Sequence, residues 1–245
     1  SDLTRAAKDD DIAVITLERL SGEGSDRSIA DFNLSKEELE LINKVTDAFH
    51  KEGKKAVVVL NIGGVIESAS WKNIPDAILL PWQCGQEIGN SVADILSGKL
   101  FPSGKLPMTW PVSVDDVPST KNFPATGMEV NSFAKGQTKY QKMKNVGYNN
   151  YEEGIYVGYR YFDSFKKNVS YPFGYGLSYT KFTYSNPTVV NDGNLIQVSV
   201  TVTNDGPRAG KEVAEVYVTA PKGHEDKPAQ ELKAFAKTRT LQPHE

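Results

Sequence analysis

A single cysteine, Cys84, stands in the whole sequence, so an internal disulfide and a Cys-based zinc site are both excluded. Histidine is nearly as scarce. His50, His224 and His244 are scattered, leaving no ligand cluster; neither a metal nor another cofactor is expected. No apolar run approaches the ~18 residues that a membrane-spanning helix needs, so no membrane partner is expected. A basic stripe is also missing. The 28 Lys and Arg are mixed with 31 Asp and Glu for a net charge of −3, whereas phosphate neutralisation takes clustered cations, so nucleic acid is not an expected partner. The Gly-x-Ser-x-Gly elbow, the Walker loop and the His-Glu-x-x-His motif do not occur.

What the sequence does contain is strand–helix–strand periodicity. Ile12-Ala13-Val14-Ile15-Thr16-Leu17 is a short, nearly all-apolar run of the kind that suits a parallel strand buried on both faces. Ser35-x-x-Glu38 reads as a capping box opening a helix. Leu39, Ile42, Val45 and Phe49 follow at helical spacing up to Gly53. Ala56 to Leu60 is a second buried strand, expected to lie parallel to the first. Ala77 to Leu80 is a third strand. Gln86 to Leu96 is a helix, with Gln86 and Glu87 at its start and Gly98 as its C-cap.

Residues 119–150 are polar and aperiodic, a long loop. Residues 151–184 are rich in Tyr and Phe, and the stretch 156–184 suits either sugar stacking or a packing seam; the seam is the preferred expectation. Beyond Phe182 the pattern turns antiparallel. Ile196, Val198, Val200 and Val202 alternate with polar residues as in a half-buried strand. A turn at 204–207, a strand at 213–218 and a further one near 230–235 follow. The expected fold is therefore α/β. It is a mostly parallel open sheet with flanking helices over 1–178, followed by a partial all-β sandwich over 179–245.

Candidate chemistry lies in the loop after the first strand, where open α/β sheets place ligand sites. It reads Glu18-Arg19-Leu20-Ser21-Gly22-Glu23-Gly24-Ser25-Asp26-Arg27. Flanking glycines let the backbone present the Glu23 carboxylate at a loop tip. Arg19, Asp26 and Arg27 are close enough along the chain to hold the loop by ion pairs. The residues equally allow a surface loop of solvated charges. Gly22-x-Gly24 also starts like a dinucleotide fingerprint, but Arg27 stands where the third glycine belongs and a carboxylate would sit in the phosphate cradle. At the end of the third strand, Trp82 stands between a substrate contact and plain packing. Cys84 is expected to be a small packed residue, since nothing marks it as activated.

Several segments together resemble the C-terminal part of glycoside hydrolase family 3, the β-glucosidase and β-xylosidase group. They are Arg19 to Arg27, Leu80 to Glu87, Phe101 to Pro107, Glu152 to Asp163, Phe173 to Thr180 and Ala209 to Val213, in that order along nearly the whole chain. The resemblance implies a (β/α)8 barrel domain of the same enzyme as partner, an α/β sandwich, and a fibronectin type III-like sandwich. It implies at least one further strand before Ser1 and further strands after Glu245. It implies retaining hydrolysis of a β-linked oligosaccharide or glucoside. An Asp nucleophile would come from the barrel and the acid/base from Glu23. Trp82 stays a candidate substrate contact on its position after the third strand alone. Self-association is left open. The rival expectations are a non-catalytic carbohydrate-binding or scaffolding module and a nucleotide-binding α/β protein.

Overall fold

Three strands run side by side at the heart of the first half. β1 (Ile12–Arg19), β2 (Lys55–Ile62) and β3 (Ala77–Leu79) form a sheet in that order. Both pairings are parallel, with Ile15 opposite Val58 and Val58 opposite Ile78. The structure is a computed structural model describing residues 2–20, 27–121, 151–221 and 223–245.

Parallel order follows from the crossover helix α2 (Lys36–Lys51), which is too long a connection for a hairpin. Ser35 accepts from the Glu38 N–H at 3.1 Å while the Glu38 carboxylate accepts from the Ser35 N–H at 2.8 Å. The capping box is thus complete and satisfies two orphan donors. α2 lays Ile42 and Phe49 onto the sheet. Ile15, Leu17, Ile42, Val58, Leu60, Ile62, Ile66, Trp71 and Trp110 form the main core. A smaller cluster of Ala7, Ala13, Phe49 and Ala56 seats the first helix, α1 (Asp2–Asp9), which the sequence patterning does not announce.

β1 corrects one expectation. Its residues alternate, with Ala13, Ile15 and Leu17 buried while Ile12 and Val14 on the other face are 47% and 48% exposed. Among the described strands β1 is at the sheet edge, and α2 covers only one of its faces. β2, in the middle, is the strand buried on both faces.

After β3, a turn of 3-10 helix at 85–87 leads into α3 (Ile88–Leu96). Gly98 has φ +74° and donates its N–H to Ile95 O at 3.0 Å. That left-handed conformation, unfavourable for a residue with a Cβ, ends the helix. Glu87 sits at the N-cap, but its carboxylate takes the Asn90 side-chain amide at 2.6 Å rather than a backbone N–H. Cys84 is exposed, not packed.

The C-terminal portion is antiparallel. β4 (Trp110–Pro111) pairs with β5 (Val169–Tyr171), β6 (Phe182–Asn191) with β7 (Ile196–Asn204), and β8 (Val213–Val218) with β9 (Glu231–Lys237). The expected half-buried face of β7 is not covered among the described residues: Ile196, Val198 and Val200 are all exposed.

Aromatic residues do form a seam. Tyr159, on the short helix α4 (Tyr159–Ser164), packs on Phe173 and Tyr217 and accepts the Leu232 N–H. The Tyr179 hydroxyl donates to Ile95 O at the end of α3. Lys105 closes the joint. Its ammonium meets Glu212 at 2.9 Å and Gly176 O at 2.8 Å. A Cβ on Gly176 would overlap the Gly104 carbonyl oxygen, so only glycine permits this approach. Three of the resembling segments, at 101–107, 173–180 and 209–213, therefore meet at one lysine.

Candidate active site

The carboxyl ends of β1, β2 and β3 lie at one edge of the sheet because the strands are parallel. Glu23 and Asp26 belong to the segment 21–26 that leaves this edge, and both lie outside the described residues. Arg19 and Arg27 flank that segment in the sequence.

Arg19 is the last residue of β1. Its guanidinium grips Glu38 in a two-pronged pair, with both N–O distances 2.6 Å. It also donates to the carbonyls of Glu18, Asp31 and Asn33. Arg27 donates to Asp31 O at 2.6 Å and to Val65 O at 3.1 Å. Both arginines thus converge on the carbonyl of Asp31. Among the described residues Glu38 is the ion-pair partner of Arg19.

The electrostatics follow from these contacts. Hydrogen bonding to Arg19 holds the Glu38 carboxyl below its usual range, and Glu38 in turn raises Arg19. Burial, with Arg19 close by, pushes Arg27 down. Arg27 Nε is buried and has no hydrogen-bond partner among the described residues. Asp31 is held low by the Ser28 hydroxyl and N–H, so its carboxylate is occupied locally while its carbonyl serves the two arginines.

A second wall comes from the loop after β3. Trp82 packs on the core cluster, its ring 6.0 Å from that of Trp110. The Gln83 amide reaches Arg19 O at 3.4 Å. The structure thus brings the Trp82 loop beside the foot of the Glu23 segment, as their shared sheet edge implies. Sequence reasoning missed the part of Glu38 in this site. Its position in the capping box was legible, but the proximity of the α2 start to the β1 end was not. Among the described residues no three His, Cys, Asp or Glu side chains gather to hold a metal ion.

Comparison with known proteins then decides the family. Residues 1–159 match the model of the glycosyl hydrolase family 3 C-terminal domain. The chain belongs to glycoside hydrolase family 3. Among its relatives, β-glucosidase A of Butyrivibrio fibrisolvens is 37% identical over 99% of this chain and 32% of its own length. An exo-α-(1→6)-L-arabinopyranosidase of Bifidobacterium longum is 35% identical over 97% of this chain and 28% of its own. β-Glucosidase 3B of Thermotoga neapolitana, solved with α-D-glucose, superposes with a TM-score of 0.90 at 49% identity. That match covers 100% of this chain and 32% of that one. The family 3 chain thus spans about a third or less of the length of these relatives. Its mixed α/β architecture is that of family 3 C-terminal domains.

Proposed function

We propose that this chain is part of a retaining, exo-acting β-glycosidase, a β-glucosidase acting on terminal β-D-glucosyl residues. In this reading Glu23 is the general acid and base, and an Asp nucleophile comes from a (β/α)8 barrel of the same enzyme. The observation that carries the reading is that Arg19 and Arg27, the arginines on either side of Glu23 in the sequence, both donate to Asp31 O. A carboxylate that must transfer a proton at a defined distance needs such a support. Asp26, beside Arg27, completes the loop support in this proposal.

The mechanism is a double displacement. The nucleophile attacks the anomeric carbon while Glu23 protonates the leaving oxygen. Glu23 then takes the proton of the incoming water. The two carboxyls would lie ~5–5.5 Å apart in the assembled enzyme. Trp82 serves as an apolar wall at the sugar. Exclusion of water by such a wall would raise the Glu23 pKa and keep it protonated. The hairpins β6–β7 and β8–β9 are proposed to belong to a fibronectin type III-like sandwich over 179–245. Their exposed apolar residues, such as Val190, Ile196 and Phe235, support a second layer.

The test is Glu23→Gln in the complete enzyme. The rate on cellobiose, which has a poor leaving group, should fall by at least ~100-fold, while dinitrophenyl β-glucoside is spared in its first step. An unchanged rate on cellobiose eliminates the assignment. A panel of aryl β-D-glucosides, β-D-xylosides and α-L-arabinopyranosides tests the sugar. Activity confined to the last would move this chain to the arabinopyranosidase relatives.

A further inference from the structure

The loop after β3 holds one residue in a conformation that its type avoids. Trp82 has φ +59°. In this left-handed region the Cβ crowds the backbone, and a bulky side chain makes the cost worse. Strain of this kind persists only where the surroundings over-determine it, and it gathers at ligand sites. Filling the core does not require it, because an aliphatic side chain on relaxed backbone occupies space equally well.

What fixes Trp82 is Trp110. Their ring centroids are 6.0 Å apart with the planes at 32°. Trp110 is itself immobilised: it is 2% exposed, donates its indole N–H to Ile66 O, and meets the Tyr171 ring edge-on at 6.2 Å. The Trp82 ring therefore leans on a rigid backstop. It remains only half-buried, and its neighbour Gln83 touches the carbonyl of Arg19.

We propose that Trp82 presents the ring face turned away from Trp110 to the C–H face of a pyranose, and that Trp110 is a positioning residue setting the angle of that face. The proposal rests on the glycosidase reading above and deepens it. A pyranose carries hydroxyls around its rim and C–H bonds on its faces. A flat, pre-fixed aromatic ring buries such a face with little loss of side-chain freedom. The strained backbone is then what aims the indole across the sheet edge instead of folding it wholly into the core.

The experiment uses the complete enzyme with p-nitrophenyl β-D-glucoside. Trp82→Ala and Trp82→Gly should both raise KM by about tenfold. The glycine variant, free to adopt φ +59°, should melt at a higher temperature than the alanine variant while sharing its KM. Trp110→Leu should also raise KM. Trp110→Phe, which keeps a ring behind Trp82, should restore it to within about twofold of wild type. The double variant Trp82→Ala/Trp110→Leu should have the KM of Trp82→Ala alone, because Trp110 acts through Trp82. Unchanged KM in the Trp82 variants overturns the proposal. So does a KM that follows melting temperature, or one that multiplies in the double variant. Failure of the Glu23 assignment reads differently, as full cellobiose activity in Glu23→Gln. A wild-type enzyme that hydrolyses no β-glycoside overturns both.

Discussion

Asp76 shows how much one carboxylate can tie together. It accepts from Lys55 at 2.8 Å and from the Ala56 N–H at 2.9 Å, and it meets His50 Nε2 at 2.8 Å. It thereby pins the end of α2 to the starts of β2 and β3. These contacts, the Lys55 ammonium foremost, hold its carboxyl far below the usual range. A depressed carboxyl stabilises the fold above its unfolded pKa of about 4, and that contribution disappears as the pH falls through the folded value. Asp76→Asn should therefore lower the urea midpoint near neutral pH and flatten its decline below pH 4; parallel curves for variant and wild type would refute this. Glu38→Gln makes a matching test at the other end of the sheet. The amide can keep the cap but loses its charge opposite Arg19, a loss of about 1–2 kcal/mol in urea titration.

At the level of elements, local chemistry was legible and non-local pairing was not. The Ser35 box defines the start of α2 through contacts three residues apart. Ser35→Ala should cost about 1 kcal/mol and speed hydrogen exchange of the first-turn amides of α2. Gly98 was legible for the same reason: a left-handed cap needs only its own backbone. Gly98→Ala, whose added Cβ would come 3.0 Å from the Arg208 guanidinium, should cost about 1 kcal/mol or more in thermal melts. By contrast, α4 begins at Gly158 without a side-chain cap, so no sequence signal marks it. The two-residue β4 owes its strand character to Tyr171 and Val169, some sixty residues away. The exposure of β1 had the same origin. An apolar hexamer does not state whether one helix or two will cover it. The site was half legible. Glycines and arginines around Glu23 advertise a held loop, but the grip of Arg19 on Glu38 arises only once β1 and α2 are folded together.

Across the whole molecule, Lys105 joins the two halves. Its partner Glu212 is largely shielded, as is Lys105 itself, with side-chain exposures of 13% and 18%. Lys105→Met would remove the cation facing that carboxylate, leaving it the Val213 N–H at 2.9 Å, and should destabilise the junction by about 3 kcal/mol. Limited proteolysis near residue 178 should then accelerate; unchanged cleavage would show that the aromatic contacts hold the seam unaided. The shared carbonyl of Asp31 has a different kind of consequence. Arg19 and Arg27, eight positions apart in the sequence, are fastened to the same backbone oxygen. An insertion between Ser28 and Asn33 that moves this carbonyl would disturb both arginines together, whereas a change confined to the Asp31 side chain would leave both of these bonds in place.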